Sequence, residues 1–327
     1  MQALLGEQAR NGAGRIQPGL RRWLDSPPPG LALAIGPQRV AGLRRLPGGP
    51  APQRGALAAL PPGAVQPSAQ HPNLAQPEPV RAAIEQVLET LGGRGSEVIL
   101  LLPEMTARVT LLEFEQLPAQ AAELQQLVRF RLRKSLPFDP EEAALSLTVV
   151  SGRAAAAKEA PAQVLAAIAD RHRLDEYEDV LEAAGARAAM VMPAALAALA
   201  ALPELRAGAL LVKADACQLA AAFIWDGYPR FCRVVESGPD GQPEDSDLYT
   251  TLAYYRDFCE QQAGANGRRP QIIAAGLSPA RLARLRQEQD WAELCDARQA
   301  AALPENWPAG SEGEWLALRG AFENSFL

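Results

Sequence analysis

Two short strand hairpins of one kind, far apart in the chain, constrain this fold more than any other feature. Residues 31–35 form an apolar run, Gly36-Pro37-Gln38 reads as a turn, and 39–44 return as a second strand. The pattern comes again as three closely spaced strands at 209–213, 218–224 and 230–235. An amphipathic helix at 80–91, with Ile84, Val87, Leu88 and Leu91 on one face, follows the first set. A long helix at 248–262, an apolar strand at 271–275 ending in Gly276, and a further helix follow the second. Strands alternating with helices, in two copies too widely spaced for a solenoid, imply an α/β protein of two pseudo-duplicated lobes. The chain has 327 residues, 48% of them hydrophobic, which is enough to bury a core in each lobe.

Between the two copies lies an α/β insert. Strands are expected at 98–102, at 108–112 and, after a helix, at 145–150 and 163–168. Leu117-Pro118 is expected to open that helix and Pro137 to stop it. A helix at 174–184, a strand at 189–192 and a helix at 194–202, ending before Pro203, lead into the second copy. Residues 1–26 read as a flexible N-terminal arm, bounded by the stiff Pro27-Pro28-Pro29. Residues 47–79 read as mostly loop with one strand near 56–60, and 238–246 as a polar loop. Asp226-Gly227 reads as a hairpin turn, and a helix at 314–324 closes the chain.

Several functions are excluded at this level. The formal charge of −6 argues against non-specific binding of nucleic acid or anionic membrane by the body of the protein. Cys217, Cys232, Cys259 and Cys295 show no CxxC pairing and read as free thiols in a reducing compartment, with no zinc site. With only His71 and His172, a histidine triad or multi-histidine metal site is not expected, and His172 reads as a solvated helix-start residue. No apolar run is long enough to span a bilayer and no signal peptide is evident, so a cytoplasmic location is expected.

The helix before Pro137 carries Arg129, Arg131, Arg133 and Lys134 within two turns. Leu124, Leu127, Val128, Leu132 and Leu136 form its apolar stripe. Arg131 projects into that stripe and Phe130 away from it, the reverse of simple amphipathicity. Either Arg131 lays its stem on the core and snorkels out while Phe130 packs under a neighbouring strand, or Arg131 faces a carboxylate or peptide carbonyl at a cleft while Phe130 or Phe138 anchors a partner. Arg133 and Lys134 also read as a solvated face.

Five local patterns, in order, resemble one family. They are Leu60-Pro61-Pro62-Gly63-Ala64-Val65; Leu102-Pro103 with Ala107-Arg108-Val109 and Leu111-Leu112; Leu127 to Leu132 with Lys134-Ser135-Leu136-Pro137-Phe138; Thr251 to Arg256; and Leu316 to Gly320. Together they resemble the type IV pilus assembly protein PilM, related to the cell-division actin homologue FtsA. The resemblance implies an actin-like (ribonuclease H-like) two-lobed fold. Subdomain 1A would occupy 27–95 and 171–205, an inserted subdomain 1C 96–170, and the second lobe, 2A with a reduced 2B, 206–327. It further implies a cytoplasmic scaffold beneath the inner membrane that binds the short N-terminus of a PilN-like membrane protein in a groove between 1A and 1C. Arg129, Phe130, Arg131, Arg133, Lys134, Leu136, Pro137 and Phe138 are the candidate contacts. Other platform components are also implied as partners, with homo-oligomerisation left open.

Against that family, the positions that would hold Mg-ATP are eroded. Ala34 stands where an Asp is usual, Gly36-Pro37 puts a donorless residue at the phosphate turn, and Ala41 replaces a Lys. In the second hairpin Lys213 replaces a carboxylate and Asp215 a Gly. Ala194 replaces another carboxylate, and the adenine-side turn keeps only Gly276. The short link between Val235 and Leu248 leaves no room for a full 2B subdomain. The expectation is a scaffold without cofactor, metal or ATP hydrolysis. The alternatives are an active actin-like ATPase and a GspL-like secretion component, the latter disfavoured because no membrane segment follows.

Overall fold

The computed structural model describes residues 29–45, 53–150, 161–215, 217–225, 228–236, 245–262, 269–301, 303–304 and 307–323. The arm at 1–26, Pro27-Pro28, the segment 151–160, the Asp226-Gly227 turn and most of the polar loop at 238–246 lie outside the described residues.

The paired hairpins build two sheets of one topology. In the first, β1 (Leu31–Ile35) pairs antiparallel with β2 (Arg39–Arg45), and β2 pairs with β3 (Gln53–Ala59). On its other side β1 runs parallel to β4 (Glu97–Leu102), which runs parallel to β8 (Arg187–Pro193). In the second, β9 (Leu210–Ala214) takes the place of β1, β10 (Gln218–Trp225) and β11 (Tyr228–Glu236) extend the antiparallel side, and β12 (Gln271–Ala275) and β13 (Glu293–Asp296) the parallel side. Central strands β1 and β9 are buried along their whole length, which explains the continuous apolar sequence of β1 and the apolar run of β9, interrupted only by Lys213. A third sheet of β5 (Arg108–Phe114), β7 (Ala162–Ala169) and β6 (Ala144–Val150), in that spatial order, forms the insert.

Helices cover the sheets on both faces. On the outer face of the first sheet, α1 (Pro77–Leu91) buries Val80, Ile84, Val87 and Leu88. Beside it, α3 (Arg171–Ala183) buries Leu174, Tyr177 and Leu181. The insert is covered by α2 (Ala121–Leu132), whose Leu124, Val128 and Leu132 meet Phe114, Val164 and Ile168. Between the two large sheets lie α4 (Ala194–Ala198), α8 (Ala297–Ala300) and α9 (Glu312–Gly320). One core runs through them, from Ala32, Ala34 and Leu101 of the first sheet to Leu211, Ala222 and Ile273 of the second. The far face of the second sheet is covered by α6 (Asp245–Gln262) and α7 (Pro279–Glu288). A short α5 (Pro203–Arg206) joins α4 to β9.

Several boundaries differ from the sequence reading. Helix α2 begins at Ala121, because Gln120 is extended and 117–120 do not enter the helix; it ends at Leu132, where Ser135 donates both its backbone N–H and its hydroxyl to the Leu132 carbonyl. Helix α4 stops at Ala198 and tightens into i+3 turns through Ala200 and Ala201, while Pro203 opens α5 instead of merely ending a helix. Helix α6 begins at Asp245 and α9 spans Glu312–Gly320. Strand β13 and helix α8 were not expected. Because β4 belongs to the first sheet, the insert starts at the 3₁₀ turn Glu104–Thr106 and not at 96.

The central helices meet through small residues. A Cβ at Gly320 would lie 1.8 Å from the Ala197 carbonyl oxygen. Gly320→Ala is therefore expected to destabilise the protein by about 1–3 kcal/mol, the range of overpacked cores, seen as a lower urea midpoint with an unchanged m-value.

Candidate functional site

Most of the positions that the resemblance implied would face a nucleotide meet in the crevice between the lobes. Ala34 faces Ala41 across the β1–β2 ladder, and the turn beyond them closes with Gly36 N–H donating to the Arg39 carbonyl at 2.9 Å. Ala34, Gly36, Pro37, Ala194, Lys213 and Asp215 line one small cavity with Glu314. Gly276 follows β12 with φ 78°.

Lys213 fills this crevice. It is 5% exposed, and its Nζ lies 3.0 Å from Glu104 Oε1 and 3.3 Å from Asp215 Oδ2. Gln218 ties the cluster together: its Nε2 donates to Glu104 Oε2 and, at 3.0 Å, to Asp215 Oδ2, and its Oε1 accepts from the Met105 N–H at 2.9 Å. Asp215 Oδ1 accepts from the N–H groups of Cys217 and Gln218, at 3.1 and 3.2 Å. The lysine stem lies against Gly313, where a Cβ would come within 2.9 Å of Cγ and Cε. The cavity left beside it measures about 20 Å³, the room of one water. Glu104 comes from the turn entering the insert, Lys213 from the second lobe and Glu314 from a central helix, so the cluster joins three parts of the fold.

Burial opposes the Lys213 ammonium, but Glu104, then Asp215 and Glu314, outweigh it and raise its pKa. Burial also raises the Glu104 carboxyl, against the pull of Lys213, and Asp215 adds to the rise. Glu314 is raised by burial too, with Lys213 and Arg39 opposing. The cluster is thus a cation with a surplus of carboxylates around it. The Cys217 thiol at its edge is pushed up by burial and then by Asp215, which keeps it neutral.

A separate open groove of about 760 Å³ lies beside this crevice. Leu60, Pro62, Val65 and Pro67 form one wall, and Pro37, Met105 and Cys217 face them. The loop forming the first wall is pinned by Asn73, which is fully buried. Its Oδ1 accepts from Thr106 Oγ1 and Tyr177 OH, each at 3.0 Å, and its Nδ2 donates to the carbonyls of Ser68 and His71, each at 2.8 Å. Nothing in the residue types along 66–73 signalled this pin, because the partners that tie it to the rest of the fold, Thr106 and Tyr177, lie on distant elements.

The basic helix end divides in two. Arg129 donates to the carbonyls of Pro140 and Ala143. Arg131 donates to the Glu113 carbonyl at 2.8 Å and lies over the Phe114 ring, 5.2 Å from its centroid. Phe130 does not pack under a strand; it is 76% exposed, because it sits opposite the Leu124–Val128–Leu132 stripe. Arg133, Lys134 and Pro137 are exposed, and Leu136 and Phe138 are half-buried against the insert core. None of these eight residues lines the groove. Among the described residues no cluster of His, Cys, Asp and Glu could hold a metal, and no helix is long and apolar enough to cross a membrane.

Two lobes of matching topology around a crevice, with an insert in the first, define the actin-like fold. No protein-family model and no curated protein matches the sequence. Among solved structures the chain is similar to the PilM-PilN type IV pilus biogenesis complex, with 18% identity, a TM-score of 0.64, and coverage of 89% of this chain and 98% of that one. The PilM resemblance therefore holds at the level of the fold. Weaker similarity links it to the cytoplasmic domain of EpsL, an inner-membrane component of the type II secretion system of Vibrio cholerae (15% identity, TM-score 0.49, 89% and 93% coverage). A protein of actin-like ATPase fold from Bacteroides thetaiotaomicron gives 9% identity, a TM-score of 0.47, and 88% and 94% coverage.

Removing one member of a buried ion pair strands the other. Lys213→Met is expected to cost about 3–5 kcal/mol, and Lys213→Met with Glu104→Gln to recover most of it. In the single variant Glu104 and Glu314 lose their counter-charge, and their already raised pKa values rise further. A raised folded pKa gives stability that is present at low pH and lost as pH rises, so its denaturation midpoint should fall as pH rises above the unfolded glutamate value of about 4.3. In the parent protein Lys213 is also raised, so its contribution holds below the unfolded lysine value of about 10.4 and is lost only above it.

Proposed function

We propose that this chain is a PilM-like cytoplasmic scaffold of an inner-membrane pilus-assembly platform, which binds the N-terminal segment of a PilN-like membrane protein and works without ATP hydrolysis. One observation carries the reading: the crevice that would take a nucleotide in this fold is filled by a lysine of the chain itself, while the groove beside it is open. Mg-nucleotide does not fit the residues present. An ammonium stands where the metal shell needs a carboxylate, the turn carries Pro37, and about 20 Å³ compares with the roughly 300 Å³ or more of a ligand pocket. The solved complex of the similar fold contains PilN, which supports a partner of that class.

The groove suits an extended peptide with apolar side chains. Its proline, leucine, valine and methionine surfaces are interspersed with Gln38, Gln66, His71 and Glu236, and the Asn73 pin holds one wall before binding, which lowers the ordering cost. The exposed face with Phe130, Arg133 and Lys134 is a second place where the same partner could make contact outside the groove.

The test is calorimetric titration of the whole chain with the synthetic N-terminal segment of its cognate PilN-like protein. Saturable binding is expected, weakened at least tenfold by Met105→Glu. Phe130→Ala with Arg133→Ala reports whether the helix face contributes. Absence of binding, or affinity unaffected by either variant, would overturn the proposal.

A further inference from the structure

The first sheet has a basic end. Its strands stand in the order β3-β2-β1-β4-β8, and the end away from the crevice is where β1, β4 and β8 begin and β2 finishes. The register sets Arg44 opposite Leu31 and Arg54 opposite Arg44, while the Arg45 N–H donates to the Gly30 carbonyl at 2.9 Å. Arg187 opens β8 on the row of Glu97. Arg94 belongs to the turn ahead of β4, which is tied to the turn ahead of β8 by the Gly95 N–H donating to the Gly185 carbonyl at 2.7 Å. Arginines 44, 45, 54, 94 and 187 thus gather at one end of a chain whose formal charge is −6. Arg44 caps α1, donating to the carbonyls of Leu91 and Gly92 at 2.7 and 2.8 Å, as suits a cation at a helix C-terminus. Arg45, Arg54, Arg94 and Arg187 are exposed, and their side chains make no hydrogen bond or ion pair among the described residues. The carboxylates at this end are Glu97 and, on the last turns of α1 and α3, Glu89 and Glu182, with Asp179 a turn further back. They too are exposed and without an ion pair among the described residues, so the cations are in surplus.

The shape of this field selects its partner. The arginines spread over a sheet end five strands wide, roughly 20 Å across, and line neither the groove nor the crevice. A small anion needs converging donors, whereas a broad field of weakly hydrated guanidinium groups fits an extended anionic surface. The sequence leading into this end fits the same surface. Residues 1–28 lie outside the described residues; they carry Arg10, Arg15, Arg21 and Arg22 against Glu7 and Asp25, with Leu20, Trp23 and Leu24 around the last two arginines. Arginine with tryptophan and leucine is the composition of segments that lie at a membrane interface. We propose that the basic end of the first lobe rests on the anionic headgroups of a lipid bilayer through Arg45, Arg54, Arg94 and Arg187. The net charge of −6 does not prevent this, because salt screens charges beyond about 8–10 Å and the local surplus governs contact. In that pose the Gly36-Pro37 turn, at the other end of β1, faces away from the bilayer at a height of about 17 Å, which about five or six extended residues span. The basic end shares no residue with the groove, and the proposal stands whether or not the groove takes a peptide.

The experiment is co-sedimentation of the whole chain with vesicles of phosphatidylcholine alone and of phosphatidylcholine and phosphatidylglycerol in equal parts. Binding is expected to the anionic vesicles only, and is expected to be lost at about 1 M salt, where the screening length is about 3 Å. Arg54→Glu, Arg94→Glu and Arg187→Glu together should weaken it at least tenfold with the melting temperature unchanged, since these side chains have no partners to lose among the described residues. The same three positions changed to lysine keep the charge and should keep the binding. A DNA duplex at the same phosphate concentration should not displace the protein from the anionic vesicles. Equal binding to both kinds of vesicle, binding to neither, undiminished binding by the glutamate variant, or displacement by the duplex overturns the proposal.

Discussion

The Lys213 ammonium, enclosed by Glu104, Asp215 and Glu314, is the interaction on which the rest of this structure turns. It sits where the two sheets and the insert converge. Glu104 enters the insert, Lys213 ends a central strand of the second lobe, and Glu314 and Gly313 belong to a helix packed against both sheets. A buried ion cluster adds little net stability over an apolar filling of the same shape, because desolvation offsets most of the attraction. Its effect is on arrangement: any opening of the lobes would separate a cation from buried carboxylates. In the proposed reading, the chain supplies from its own sequence the positive charge at the centre of the crevice.

The same convergence shapes the partner groove. Gln218, which completes the lysine cluster, also holds the Met105 N–H, and Met105 forms part of the groove wall. Thr106, one residue on, bonds to the Asn73 pin of the opposite wall. A partner in the groove would therefore touch elements whose positions are set by the crevice. That links peptide binding to the closed lobes without any ligand in between.

Much of the architecture was legible because the hairpin pattern is local and strongly apolar, and the buried strands read as apolar runs such as Leu31–Ile35 and Ile272–Ala275. Of the positions singled out as nucleotide-facing, Ala34, Gly36, Pro37, Ala194, Lys213 and Asp215 line one cavity, while Ala41 and Gly276 do not. Their outcome was not legible. Nothing local to Lys213 shows that Glu104, 109 positions away, will meet it, since that pairing exists only once the lobes close. The start of α2 was misplaced because Leu117-Pro118 looks like a helix opening, whereas the extended Gln120 delays it to Ala121. Phe130 was read by one alternative as packed, when the helix stripe leaves it facing solvent.

The central claim, that a resident lysine occupies the place a nucleotide would take, is tested most directly by calorimetric titration of the whole protein with Mg-ATP. The account gives no saturable heat up to millimolar nucleotide. Saturable binding at micromolar Mg-ATP, competed by Mg-ADP, would contradict it.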